Sequence, residues 1–96
     1  MKTLSEDEVR KRLSALPGWS REGNAIGRTY TFESFPAAIA FVDRIAELAE
    51  AANHHPDIDI RYDRVRLSLS THSEGGITSR DTDLAARIDE TLGAPS

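Results

Sequence analysis

The chain predicts an α+β fold, a four-stranded antiparallel sheet with three helices on one face, in the order α-β-β-α-β-β-α. Three observations carry this reading. Two pairs of short strand-like runs are each joined by turn residues, as hairpins are. Three other segments repeat apolar residues at helical spacing. These helices and hairpins alternate over only 96 residues, a length that suits one domain, spanning residues 1–96. The helical stripes are then most simply buried on one face of a single sheet.

Each element has a local cause. Ser5-Glu6-Asp7-Glu8 fits a capping box, in which the Ser5 hydroxyl and the Glu8 carboxylate satisfy free N–H groups at a helix start. That helix carries Val9, Leu13 and Leu16 inward and stops before Pro17-Gly18. Trp19 opens a short strand, and Glu22-Gly23-Asn24 supplies turn chemistry. Ile26, Arg28, Tyr30 and Phe32 share one parity and so one strand face. Ser34 caps the longest helix, with Pro36 tolerated in its first turn. Its apolar stripe is Phe35, Ala38, Ile39, Val42, Ile45, Ala46 and Ala49, widened by Phe41 and Leu48, and it ends near Asn53.

Pro56 disfavours the helical region for His55, so the chain becomes extended there. Ile58, Ile60 and Tyr62 alternate with charged residues, Asp63-Arg64 is a plausible tight turn, and Val65, Leu67 and Leu69 alternate with polar ones. This is a hairpin with one buried face. Glu74-Gly75-Gly76 breaks the chain. Thr78-Ser79-Arg80-Asp81 starts the last helix in capping-box fashion, with Leu84, Ala85, Ile88 and Leu92 toward the core. The tail Gly93-Ala94-Pro95-Ser96 reads as disordered.

Composition removes several functions. There is no cysteine, so no disulfide, thiolate nucleophile or thiolate metal site is available. The formal charge is −4, and the lysines and arginines are scattered. Direct nucleic-acid binding, which normally shows a basic patch, is not expected. No apolar run approaches the roughly 20 residues that span a bilayer. The acidic N-terminal segment lacks the apolar core of a signal peptide. The expected setting is cytoplasmic.

The chemistry concentrates between Glu50 and Asp81. All three histidines lie there, as His54-His55-Pro56 and Thr71-His72. Histidine has an unperturbed pKa of about 6.5 and exchanges protons near neutrality, so three of them among carboxylates suit acid/base work. Each residue also has an ordinary reading. His54, one helical turn after Glu50, could be a helix-end histidine in an ion pair. His55 points elsewhere, because neighbouring helical residues diverge by about 100°; alone it reads as a loop histidine. His72 follows the polar parity of Arg66, Ser68 and Ser70 and leaves the core face at a strand end. Asp81 stands where a capping box wants a carboxylate. Tyr62 and Trp19 read as packing aromatics. Zinc is disfavoured, because no His-x-His or His-x-x-x-His pair puts two imidazoles on one face.

Glu50-x-x-x-His54-His55-Pro56, Tyr62, Thr71-His72 and Asp81 together resemble the signature of the pterin-4a-carbinolamine dehydratases. Gly18-Trp19, Tyr30-Thr31-Phe32, Gly76-Ile77-Thr78 and Leu84-Ala85 extend the resemblance over nearly the whole chain. It implies the same sheet and helices reached above. It implies dehydration of a 4a-hydroxytetrahydropterin to a quinonoid dihydropterin and water, downstream of aromatic amino acid hydroxylases. No metal and no cofactor are implied, since the pterin is the substrate. By position, His54, His55 and His72 match the active-site histidines. His54 and His72 would serve as acid and base, in an order left open, and His55 would orient the ring. Glu50 would orient His54, Pro56 would splay His54 from His55, and Thr71 and Asp81 would support the cleft. Homodimers or homotetramers are implied as well, which suits a sheet with open edges. The chain departs at Asn53 and Ile58, where some relatives carry Asp and an aromatic. Relatives also include catalytically silent binding or assembly modules, the alternative function.

Overall fold

The computed structural model describes residues 2–93. The elements are α1 (Glu6–Leu13), β1 (Ser20–Glu22), β2 (Ala25–Thr31), α2 (Phe35–Ala52), β3 (Asp57–Arg61), β4 (Arg64–Leu69) and α3 (Ser79–Gly93), with one turn of 3-10 helix at His72–Glu74. This is the predicted order. The sheet runs β1-β2-β4-β3, and each pairing is antiparallel.

The register explains the two faces. Ile26 lies opposite Leu69 and Tyr30 opposite Val65, so these residues share one side. They are buried there with Leu67, against Val9, Ala38, Phe41, Ile45, Leu84, Ala85 and Ile88 of the three helices. Thr29, Arg64 and Arg66 occupy the other side, where Arg66 donates to Thr29 and pairs with Glu22.

The α1 capping box is complete: Ser5 N–H donates to Glu8 Oε1 at 2.9 Å, and Glu8 N–H donates to Ser5 Oγ at 3.2 Å. The helix ends at Leu13, short of the expected Leu16. Backbone bonds from Ala15 to Arg12 and from Leu16 to Leu13 tighten the chain after it. Leu16 is therefore buried from a turn. Gly18, at φ +98°, lets the Arg28 guanidinium lie where a Cβ would stand. Arg28 donates to Asp89 Oδ1 at 3.1 Å, as does the Tyr30 hydroxyl at 2.5 Å, and Trp19 Nε1 donates to the same carboxylate. Burial first, then the bond to Asp89 and its charge, push the Tyr30 phenol far above the ordinary tyrosine range. This clamp joins α3 to the first hairpin.

Other sequence expectations need correction. The buried line of α2 is Ala38, Phe41, Ile45 and Ala49, with Phe35 and Ala46 exposed. Phe41 packs against Tyr30 and Phe32 with centroids 4.8 and 4.9 Å away, and these rings set the helix rotation. The second hairpin turns at Tyr62-Asp63, not Asp63-Arg64, because Arg61 pairs with Arg64. The Asp63 carbonyl accepts the Phe32 N–H at 2.8 Å. The expected buried face of β3 is exposed: Ile58 by 38%, Ile60 by 37% and the turn residue Tyr62 by 72%. By register Ile58 and Ile60 share the core side with Leu67 and Val65. However, β3 is an edge strand, and α2 packs over β4. Leu92 is also exposed. Gly93 closes α3, and the rest of the expected tail lies outside the described residues. Among the described residues no helix is long and apolar enough to cross a membrane.

Candidate active site

The site is built where α2 ends. Asn53 adopts the left-handed conformation at φ 51°, which asparagine tolerates better than most residues. Its N–H bonds the Glu50 carbonyl, and the His54 N–H bonds the Ala49 carbonyl, both at 3.1 Å. This is a Schellman closure with asparagine in the usual glycine position. It swings His54 off the helix surface and under the chain, leaving it 8% exposed.

The expected pairing of His54 with Glu50 is therefore wrong. Glu50 Oε1 lies 2.6 Å from Nε2 of His55 instead, in an exposed pair. The i,i+4 rule holds only while the helix continues, and the Asn53 turn breaks it. His54 Nε2 instead faces Asp81 Oδ1 at 2.5 Å. Pro56 follows as the last residue before β3, with His54 buried and His55 exposed on either side of the bend.

Asp81 serves two purposes. Its Oδ2 accepts the Thr78 N–H and the Thr71 hydroxyl, each at 2.9 Å, while Oδ1 meets His54. The capping reading accounts for the first bond; the last ties Asp81 to His54. Asp81 is fully buried. Thr71 is held in turn by a bridge to Gly76, with its N–H donating to the Gly76 carbonyl at 2.8 Å.

His72 does not end a regular strand, as its parity suggested. β4 stops at Leu69, and His72 begins the 3-10 turn, where it is exposed. It still reaches the expected place. A cavity of about 230 Å³ is lined by His54, His55 and His72 with Asn53, Thr71 and Arg80 among its other walls. A second cavity, of about 260 Å³, adjoins it at Ser70 and His72. Glu50, Pro56 and Asp81 do not line the first cavity; Glu50 and Asp81 reach it only through their bonds to His55 and His54. A larger cleft of about 1020 Å³ lies at the Arg28–Asp89 clamp and contains no histidine; Arg28 and Asp89 there are already paired with each other. Among the described residues, no three His, Asp or Glu side chains cluster as a metal site would require.

Arg80 was missed as a wall of the site. Its guanidinium donates to the Asn53 carbonyl at 2.6 Å, bracing the turn that presents His54. A signal was available: a cation in the first turn of a helix opposes the dipole and calls for another partner.

The arrangement offers three imidazoles on one cavity, one of them backed by a buried carboxylate. The family model for pterin 4 alpha carbinolamine dehydratase matches residues 2–91. The chain belongs to the pterin-4a-carbinolamine dehydratase family. A relative from Chloroflexus aurantiacus, provisionally named a pterin-4-alpha-carbinolamine dehydratase, is 59% identical over 97% of this chain and 100% of its own. The dehydratase family fold is also seen in a crystal structure from Brucella melitensis, described as a transcriptional coactivator/pterin dehydratase. It superposes with a TM-score of 0.88 at 37% identity, covering 92% of this chain and 96% of that one. A pterin dehydratase-like protein identified as a RuBisCO assembly factor in the alpha-carboxysome is more distant. Its TM-score is 0.63 at 25% identity, over 81% of this chain and 89% of that one.

Proposed function

We propose that the protein is a dehydratase that converts a 4a-hydroxytetrahydropterin to a quinonoid dihydropterin and water, returning the tetrahydropterin cofactor of aromatic amino acid hydroxylases to its cycle. The observation that carries this is the convergence of His54, His55 and His72 on one cavity in a chain of this family. The elimination needs an acid for the leaving hydroxyl and a base for a ring N–H proton. His54 and His72 supply these roles. His55, held toward Glu50, orients the pterin ring, and Arg80 and Asn53 complete the wall. The test is release of quinonoid dihydropterin from freshly made carbinolamine, measured above the spontaneous rate.

The pterin is the substrate, and we propose no metal or cofactor. Activity is expected to survive exhaustive chelation unchanged, because no imidazole pair is spaced for a tetrahedral ion. Activity lost to a chelator and restored by zinc would contradict this.

The likeness to the RuBisCO assembly factor favours a second reading, a silent binding or assembly module on the same fold. The complete histidine set supports the enzyme over it.

We further propose that the protein is a homo-oligomer formed through β3. The strand is an open edge carrying the half-exposed Ile58 and Ile60, and unpaired edges invite pairing. Light scattering after gel filtration is expected to give a dimer or tetramer, and Ile60→Lys to shift it toward monomer. A wild-type monomer at tens of micromolar would contradict the proposal.

A further inference from the structure

We propose that a chain of hydroxyls, Thr78 to Thr71 to Asp81, locks His54 in the Nε2–H tautomer. His54 Nδ1 then faces the cavity as a proton acceptor. This deepens the dehydratase reading and rests on it for the role of base. It makes Thr71 and Thr78 positioning residues that act through Asp81.

Asp81 as a carboxylate only accepts. Its Oδ2 takes the Thr71 hydroxyl and the Thr78 N–H, both at 2.9 Å. A threonine has one hydroxyl proton, and that of Thr71 is committed to Asp81. In the 2.8 Å contact between Thr71 Oγ1 and Thr78 Oγ1, Thr78 must therefore be the donor. Thr78 Oγ1 keeps lone pairs for the Arg80 N–H, which reaches it at 3.2 Å. Each of these protons then has one place to go, and the direction of the chain is fixed.

The remaining oxygen, Oδ1, lies 2.5 Å from His54 Nε2 and has no proton to offer. Nε2 must carry one. A neutral imidazole protonated at Nε2 holds its lone pair at Nδ1. Among the described residues Nδ1 has no protein partner. No buried side-chain nitrogen or oxygen there is left unpaired, so Nδ1 is open to the cavity that His54 lines.

The step then balances. His54 Nδ1 takes the ring N–H proton, and the nitrogen–carbon double bond forms with the electrons released. The C4a–O bond breaks, and a protonated His72 gives its proton to the leaving oxygen, making water. Solvent returns one proton from His54 to His72 between turnovers.

Histidine-labelled protein and long-range proton–nitrogen correlation spectra test the lock directly. In its neutral form, His54 is expected to show a protonated Nε2 and a bare Nδ1. A protonated Nδ1 in the wild type overturns the proposal, whatever any variant does. Asp81→Asn should invert the tautomer. Its amide oxygen must stay where the Thr71 hydroxyl and Thr78 N–H point, which turns the NH₂ group onto Nε2. Turnover should fall by about 10,000-fold, the size of effect seen when an Asn forces the wrong tautomer in a serine-protease triad. A folded Asp81→Asn protein that keeps the wild-type tautomer overturns the lock. Thr71→Val leaves Asp81 Oδ2 held by the Thr78 N–H alone, so the carboxylate can turn away from Nε2; both tautomers should then be populated and turnover should fall, and Thr71→Ser should restore both readouts. A Thr71→Val protein with the wild-type tautomer and rate removes the hydroxyl chain from the proposal. The two readings fail separately: an inactive wild type with Nε2–H sinks the dehydratase, and an active one with Nδ1–H sinks the lock.

Discussion

Replacing His72 with alanine is expected to lower turnover by about 100- to 10,000-fold, the usual contribution of a general acid or base. Stability should change little, because His72 is exposed on its 3-10 turn and such surface changes usually fall within about 0.5 kcal/mol. His54 is not equivalent. It is buried and bonded to a fully buried carboxylate. His54→Ala strips Asp81 of a partner, and an unsatisfied buried group costs about 1–3 kcal/mol, more when charged. His54→Gln is the cleaner variant, because its amide can still donate toward Asp81 while offering no titrating ring. It should lose turnover as His72→Ala does and unfold closer to the wild type than His54→Ala. His55→Ala should instead raise KM with turnover largely kept, as expected for a group that binds the ring. Initial rates corrected for the spontaneous reaction, with urea unfolding on the same preparations, check all three. Wild-type turnover in His72→Ala or His54→Gln would remove that residue from proton transfer.

The second large effect concerns Asp81→Glu. Read from sequence alone, this exchange keeps a capping carboxylate and most of the stability, since Glu also serves in a capping box. The structure reverses that expectation. Asp81 is fully buried, and its two oxygens are held by Thr71, Thr78 and His54. One more methylene must displace His54 or the start of α3. Overpacking of this kind costs about 1–3 kcal/mol, and a misplaced imidazole costs activity as well. Thermal or urea unfolding should show the loss, and initial rates should fall together with it. Wild-type stability and wild-type rate in Asp81→Glu would reduce Asp81 to a helix-start residue.

The fold was legible because its local signals agree with one another. The Ser5–Glu8 capping box, the Ser34 cap with Pro36, and the alternation of Val65, Leu67 and Leu69 each specify one element, and each is found. The errors fall where tertiary context decides. Alternation assigned Ile58 and Ile60 the correct side of the sheet, but not whether a helix would cover them; strand order does that. The rotation of α2 depends on Phe41 meeting Tyr30 and Phe32, which no spacing rule contains.

The candidate site divides in the same way. The grouping of His54, His55 and His72 was readable, because the chain brackets a helix end, a hairpin and a return within a short span. Their partners were not. Glu50 changed from His54 to His55 because a single left-handed residue, Asn53, reset the direction of the chain. The bond from Asp81 to His54 joins the end of α2 to the start of α3 across 27 positions. Sequence spacing carries no information about such a contact. Arg80 could have been suspected from its conflict with the helix dipole, but its partner, the Asn53 carbonyl, depends on the same turn.

The most direct test of the central claim is a stopped-flow assay with carbinolamine generated in place from the tetrahydropterin. The wild type is expected to release quinonoid dihydropterin at a rate proportional to enzyme and well above the spontaneous rate, with His72→Ala returning it to near the background. Wild-type protein that is folded and leaves the spontaneous rate unchanged at micromolar concentration would contradict the dehydratase reading and leave the binding or assembly module in its place.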